Sequence, residues 1–316
     1  MKNKKNLMVL GGITITVVLM FLLIGLNEAN FEYALSKRIP KIYAMVLTGG
    51  AIGFSSLIFQ TITNNRILTP SILGLDSLYI LLQTTIVFLL GANSGLLSDP
   101  NINFILSIIV MIIFSSFIYR ILFKKGSKNI FTLLLLGLIC GTLFESLTTF
   151  MQVLIDPVDF LSIQDKMMAS FNNINTDILL ISSIVIIIAI AYSTEFLKVL
   201  DVMSLGRDEA INLGVDYDRI VKKMLVVVVV LTSVSTAMVG PITFLGLLVV
   251  NIARQLIKTY KHSELGISTL LISIIALVGG QLVIEQVMKF GISLSVIINF
   301  VGGLYFIYLV MKERAQ

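Results

Sequence analysis

Long apolar runs free of Asp, Glu, Lys and Arg recur along this chain, and no water-soluble fold accommodates them. They fall at Met8–Leu26, Ile42–Asn65, Ser77–Ser98, Asn101–Tyr119, Ile178–Thr194, Met224–Ala253, Leu265–Ile284 and Phe290–Met311, and Ile130–Gln152 is interrupted only by Glu145. Crossing a hydrocarbon core of ~30 Å takes about 20 apolar residues in a helix. Of the 316 residues 57% are hydrophobic and 13% charged, about half the charge of an average soluble domain. The pattern predicts an all-α, polytopic membrane protein.

The run Met224–Ala253 is too long for one ordinary span, and Gly240-Pro241 lies near its middle. Proline lacks a backbone donor and breaks helices, and Gly-Pro marks a turn. Two helices are therefore expected there, the second short and near Pro241–Ile257, which gives about ten spans. Lys2, Lys4 and Lys5 before an apolar run resemble a signal peptide. The run exceeds the usual ~7–15 residues, however, and no small-residue cleavage site follows, so a retained first helix is expected. Cys140 is the single cysteine, which leaves no intrachain disulfide and suggests a small packing residue.

Ten spans put both termini on one side. With both in the cytoplasm, only Lys37, Arg38, Lys41, Lys166 and Lys289 of the 23 Lys and Arg lie outside and the other 18 lie inside, as the positive-inside rule requires. The net charge of +5 then belongs to the lipid-facing cytoplasmic side and calls for no nucleic acid. Outer loops are acidic or neutral (Asp99; Asp156, Asp159 and Asp165), except the first, where Lys37, Arg38 and Lys41 surround Pro40 after Glu28 and Glu32.

The longest polar interruption, Asp201 to Lys223, is expected to carry a small exposed helix over Arg207–Leu213. Asp208 and Glu209 suit its N-terminal dipole, Gly214 provides a left-handed stop, and Asp216 can cap the next helix. A helix of about two turns is marginal alone, so it must pack on something: its own protein, or a soluble partner.

Four ordered motifs carry a family resemblance. They are Arg38-Ile-Pro-Lys41; Asn64-Asn-Arg-Ile-Leu-Thr-Pro70 with Ile72-Leu-Gly-Leu75; Leu205-Gly-Arg-Asp-Glu-Ala-Ile-Asn-Leu-Gly214; and Gly240-Pro-Ile-Thr-Phe-Leu-Gly-Leu247 with Ile252-Ala-Arg254. Over nearly its whole length the chain resembles the permeases of ABC importers for iron–siderophore complexes and cobalamin. The resemblance implies a ten-helix permease, with 1–316 as a single transmembrane domain and a coupling segment at about 200–218. It also implies an ABC ATPase dimer below, a second permease alongside and an extracytoplasmic siderophore-binding protein above. Leu205, Gly206, Arg207, Ala210, Leu213 and Gly214 would form the element seated in the ATPase. Arg38 and Lys41 would meet carboxylates of the binding protein, and Lys289 could join them. No G-x-x-x-x-G-K-[ST] loop is present, so ATP hydrolysis is expected on another subunit, and neither an enzyme activity nor a cofactor is expected of this chain. Val250-Asn251, Gly279-Gly280-Gln281 and Gly291-Ile-Ser-Leu-Ser295 depart from the family's pattern and favour pairing with a different permease over a homodimer.

Ionisable residues inside spans are functional candidates by default. Thr142, Glu145, Ser146 and Thr149 share one helical face and could line the path, form the permease–permease interface or pair with another span. Glu285 could sit beside Lys289 at i, i+4. Gln60 and Asn64 are expected to pack between helices, and Gly49-Gly50-Ala51 and Gly302-Gly303 to allow close helix approach. His262, the single histidine, is expected in a cytoplasmic loop, and alone it rules out multi-imidazole metal sites. The expected function is import of iron–siderophore complexes across the cell membrane. The alternatives are cobalamin or haem import, or an ion-coupled carrier, for which Glu145 is the ready ion site. The lone histidine argues against an intramembrane zinc or nucleophile–base hydrolase; an aspartyl dyad is the harder one to exclude, although Asp76 and the outer-loop aspartates show no paired spacing on facing spans.

Overall fold

The computed structural model describes residues 2–26, 31–92, 94–95, 99–124, 130–172, 174–289 and 291–314. Glu28, Phe290, and Lys125 and Lys128 from the inner cationic set lie outside the described residues. Among the described residues eight helices are long and apolar enough to span a membrane. These are α1 (Lys2–Leu23), α2 (Phe31–Ile62), α4 (Pro100–Lys124), α5 (Ile130–Leu154), α7 (Thr176–Thr194), α10 (Tyr217–Val239), α12 (His262–Gln286) and α13 (Leu294–Arg314). Two shorter apolar helices, α3 (Leu75–Leu90) and α11 (Leu245–Leu256), complete ten. They match the ten expected spans, and no strand occurs among the described residues. Among the described residues, short helices between spans include α6 (Pro157–Met167), α8 (Leu197–Met203) and α9 (Arg207–Asn212).

Local chemistry sets the breaks. Helix α10 stops at Val239 because Gly240 adopts φ 96° and Pro241 cannot continue the ladder. The second half resumes only at Leu245, later than the expected Pro241. The chain between α2 and α3 is likewise irregular: Asn64 at φ 46° ends α2, and a 3-10 turn at Pro70–Leu73 leads through Gly74 into α3. In lipid such backbone survives only where protein covers it. Gly74 lies in van der Waals contact with Gly137 and Gly141 of α5, an approach that a side chain at 74 would block.

Two expectations are corrected here. The residues around Pro40 are not in a loop, because α2 begins at Phe31 and carries Pro40 in its interior. Membrane helices tolerate this where neighbours satisfy the freed groups. Residues 157–167, expected as loop, form α6, for which Asp156 is the N-cap, accepting from the Val158 N–H at 2.9 Å, with Pro157 at the first position.

Helix α2 is the most enclosed span, packed by α10, α11 and α12, whereas α1, α5 and α13 keep most of their surface open. Lipid tails are as apolar as leucine, so close packing rather than water exclusion holds such a core. Gly49 and Gly53 of α2 meet Ser273 and Thr269 of α12 with no room for a Cβ. Gly302 of α13 is in equally tight contact with Phe244, while Gly303 faces open space.

Candidate functional site

Helices α8 and α9 stand at the end of the bundle where α2 finishes and α10 and α12 begin. Gly206, at φ 114°, turns the chain between them. Helix α9 ends in a Schellman motif: the Gly214 N–H (φ 84°) bonds the Ile211 carbonyl at 2.9 Å and the Val215 N–H bonds the Ala210 carbonyl at 3.0 Å. Asp216 then caps α10, accepting from the Arg219 N–H at 3.4 Å. The expected left-handed stop and cap are therefore both present. Ala210 is fully buried and fixes the helix to the body, while Leu205 (61% exposed) and Leu213 (64%) project on either side. Arg207 stands 3.6 Å from Asp218 and lies over the Tyr217 ring. The Tyr217 hydroxyl donates to the Ile62 carbonyl at 3.0 Å, tying the segment to α2.

His262 belongs to this assembly. It is not in a loop but is the first residue of α12, 1% exposed. Its ring and backbone N–H both reach Asp201 Oδ1 of α8, at 2.7 and 2.6 Å, and its Nε2 lies 2.8 Å from the Thr61 hydroxyl of α2. The expected packing of Gln60 and Asn64 divides: Gln60 is buried, whereas Asn64 is exposed at the end of α2 because its left-handed backbone turns it out of the helix. Both line a cavity of about 320 Å³ that opens beside Leu205 and Arg254.

At the opposite end the cations have inward partners. Lys41 pairs with Glu285 at 2.9 Å, with both side chains largely buried. Gln281 donates to the same carboxylate at 3.0 Å and to Asn172 at 3.0 Å, so the group joins α2, α12 and Asn172. The expected Glu285–Lys289 pair does not form, because α12 ends at Gln286 and Lys289, at φ 50°, lies past the helical register. Arg38 donates to the Leu22 carbonyl at 2.7 Å, closing the end of α1. Lys289 and Lys37 are exposed.

On α5 the four polar residues 142, 145, 146 and 149 do share an exposed face. Thr142, Ser146 and Thr149 each donate to the carbonyl one turn back at 2.9 Å, and Glu145 accepts from Ser77 of α3 at 3.0 Å. An apolar helix that lets its single carboxylate face outward is poorly matched to lipid.

Two features escaped the sequence reading. Lys166 of α6 donates to Gln83 at 3.1 Å beside an open cavity of about 790 Å³, bounded also by Asn103, Asn175 and the end of α10. Burial there lowers its pKa to about 8. Asp76, set aside because no second acid faces it, stands among hydroxyls inside the bundle. The Asp-Pro pair before α6 was a readable signal for the first; no local spacing announces the second.

The FecCD transport family model matches residues 6–312. The chain is 58% identical over 314 residues, covering 99% of both chains, to the Bacillus subtilis petrobactin import system permease protein YclO. It is 34% identical to FatC, covering 92% of this chain and 82% of that one, and 28% identical to FatD, covering 91% and 84%. Both are petrobactin import system permease proteins of Bacillus anthracis. Its fold matches, at a TM-score of 0.85 and 21% identity over 98% of this chain and 99% of the other, a solved structure of a metal-chelate type ABC transporter in an inward-facing conformation.

Proposed function

Because the chain belongs to the FecCD transport family, we propose that it is the permease subunit of an ATP-binding-cassette importer that carries iron–siderophore complexes, petrobactin being the first cargo to test. The near full-length 58% identity to a petrobactin import permease carries this reading. The chain is a multi-pass protein of the cell membrane.

In this reading residues 1–316 act as one transmembrane domain with both termini in the cytoplasm. The α8–α9 segment faces an ATPase dimer encoded elsewhere, and ATP hydrolysis belongs to that partner. Leu205 and Leu213 enter the ATPase cleft on either side of α9. Gly206, Arg207, Ala210 and Gly214 keep the short helix rigid, so that closure of the ATPases displaces α8, α10 and α12 as one body. The Asp201–His262–Thr61 bridge supports that transmission. A helix held by a buried alanine and a Schellman motif can move a span; a frayed one would absorb the push.

At the outer end an extracytoplasmic siderophore-binding protein delivers cargo onto a rim that includes Arg38, Lys41 and Lys289, with Lys289 offering the accessible charge. Thr142, Glu145, Ser146 and Thr149 line the path or the contact with a second permease. That second permease is a different one, in keeping with the existence of two related permeases, FatC and FatD, in one petrobactin system. The iron complex crosses without chemical change.

The test is uptake of iron-loaded petrobactin by cells lacking this chain. Uptake should fall to background and return with the wild-type chain. Undiminished uptake in the deletion strain would reject the cargo, and ATP-independent uptake would reject the machinery.

A further inference from the structure

The two breaks in the helical bundle meet at one buried point. The irregular chain before α3 brings Ser71 and Asp76 there, and the gap between α10 and α11 brings Thr243. Ser55 and Ser56 of α2 and Thr232 and Thr236 of α10 complete a shell of hydroxyls around a cavity of about 10 Å³, room for the centre of one water-sized particle. Thr236 donates to Asp76 Oδ1 at 3.3 Å. Asp76 Oδ2, Ser56 Oγ and Thr232 Oγ1 are shielded from solvent without a hydrogen-bond partner, and all three residues line this space. Ser56 and Thr232 are themselves 0% and 6% exposed.

No Lys or Arg borders the cavity, and a carboxylate inside a bundle requires a compensating charge or a proton. Asp76 is the second residue of α3, where the helix dipole favours the ionised form. A proton on Oδ2 together with one water would satisfy all three oxygens. For the ionised form, which the α3 dipole favours, a small cation supplies both the charge and the ligand contacts.

From this geometry we infer that Asp76 and its ring of hydroxyls bind one sodium ion, which holds the two helix breaks together. Hard oxygen ligands suit a hard cation. A single carboxylate balances one positive charge, whereas calcium and magnesium sites draw on further acids or retained waters. A carboxylate among the ligands makes a strong local field, which favours the smaller sodium over potassium. Unwound segments meeting at mid-bundle are where membrane proteins bind such ions. Glu145, the ion-site candidate in the sequence, has no comparable shell and already accepts from Ser77.

The intact transporter in nanodiscs tests this with radiolabelled sodium and with thermal unfolding in sodium, potassium or choline chloride at equal ionic strength. Saturable sodium binding is expected. Saturating sodium should raise the unfolding midpoint by roughly 2–4 °C over choline, and Asp76→Asn should lose both responses. Thr232→Val, which keeps the carboxylate and removes one ligand, should weaken sodium binding several-fold, and it carries the test should Asp76→Asn fail to assemble. Wild-type protein without sodium-specific binding, or binding unchanged by either substitution, overturns the inference. Neither readout depends on petrobactin uptake, so the two proposals fail separately.

Discussion

The two ends of this molecule handle exposed side chains in opposite ways. Around α9 the backbone is locked and the leucines are left open: Ala210 is buried, the Schellman bonds are closed, and Leu205 and Leu213 project with nothing on them. At the Lys41 end the side chains are locked and the surface is closed, since Lys41 holds Glu285 and Arg38 holds Leu22. The first arrangement suits a seat that must transmit force by shape. The second suits a rim whose remaining free charge, as at Lys289, steers an encounter.

The sharpest way to break this contrast is to spoil the α9 backbone. At φ 114° Gly206 sits where side-chain-bearing residues are strained, and an added Cβ would also approach Glu209 at 3.0 Å. Gly206→Val should cut uptake at least about tenfold with the chain still in the membrane, a loss on the order of 1.4 kcal/mol or more in coupling. Uptake at wild-type level, with normal expression, would mean that α9 need not be rigid. Leu213→Asp asks the next question, since it alters the exposed surface and not the turn. If Leu213 is an anchor in the partner cleft, its loss should cost about 2 kcal/mol, read as a weaker hold on the ATPase in pull-downs. Equal recovery of ATPase with wild type and variant would remove Leu213 from the interface.

Both ends also show what a sequence carries and what it does not. The ten spans, the break at Gly240 and the stop at Gly214 are local: length, hydropathy and backbone chemistry decide them, and they were legible. Pairings set by the bundle were not. Lys41 and Glu285 are 244 positions apart, so the nearer Lys289 looked the better partner, until the end of α12 at Gln286 removed the register on which that reading depended. His262 looked like a loop residue because polar neighbours surround it in sequence, yet its two hydrogen-bonding faces are buried by α2 and α8. The shell around Asp76 draws on four separate stretches of chain, and no window of sequence contains it.

The Lys41 end yields a medium effect on stability and a smaller one on kinetics. Lys41→Ala leaves Glu285 largely buried without its cation and should destabilise by about 1–3 kcal/mol. Removing Glu285 as well should recover part of that loss, as a double-mutant cycle on unfolding would show. Simple additivity would mean that the pair contributes nothing. Lys289→Glu should leave stability unchanged and slow delivery by the binding protein several-fold at low salt, with the difference fading as salt rises. A loss of the same size at high salt would point to a direct contact and not to steering.

The smallest effect concerns Lys166, the outer cation that neither pairs like Lys41 nor faces solvent like Lys289. Burial beside the large cavity holds its pKa near 8, below the ~10.4 of an unfolded chain. Between those values the unfolded state binds more protons than the native one, so the contribution to stability rises with pH. It is least favourable below about pH 8, where the native state must keep a desolvated charge, and it improves until the unfolded lysine also loses its proton. Lys166→Met should therefore flatten the rise of unfolding midpoint between pH 7.5 and about 10, and the difference between the two curves isolates this group from others that titrate nearby. Parallel curves would mean that the ammonium is solvated through the cavity, and that this end of the molecule has one more open charge than its burial suggests.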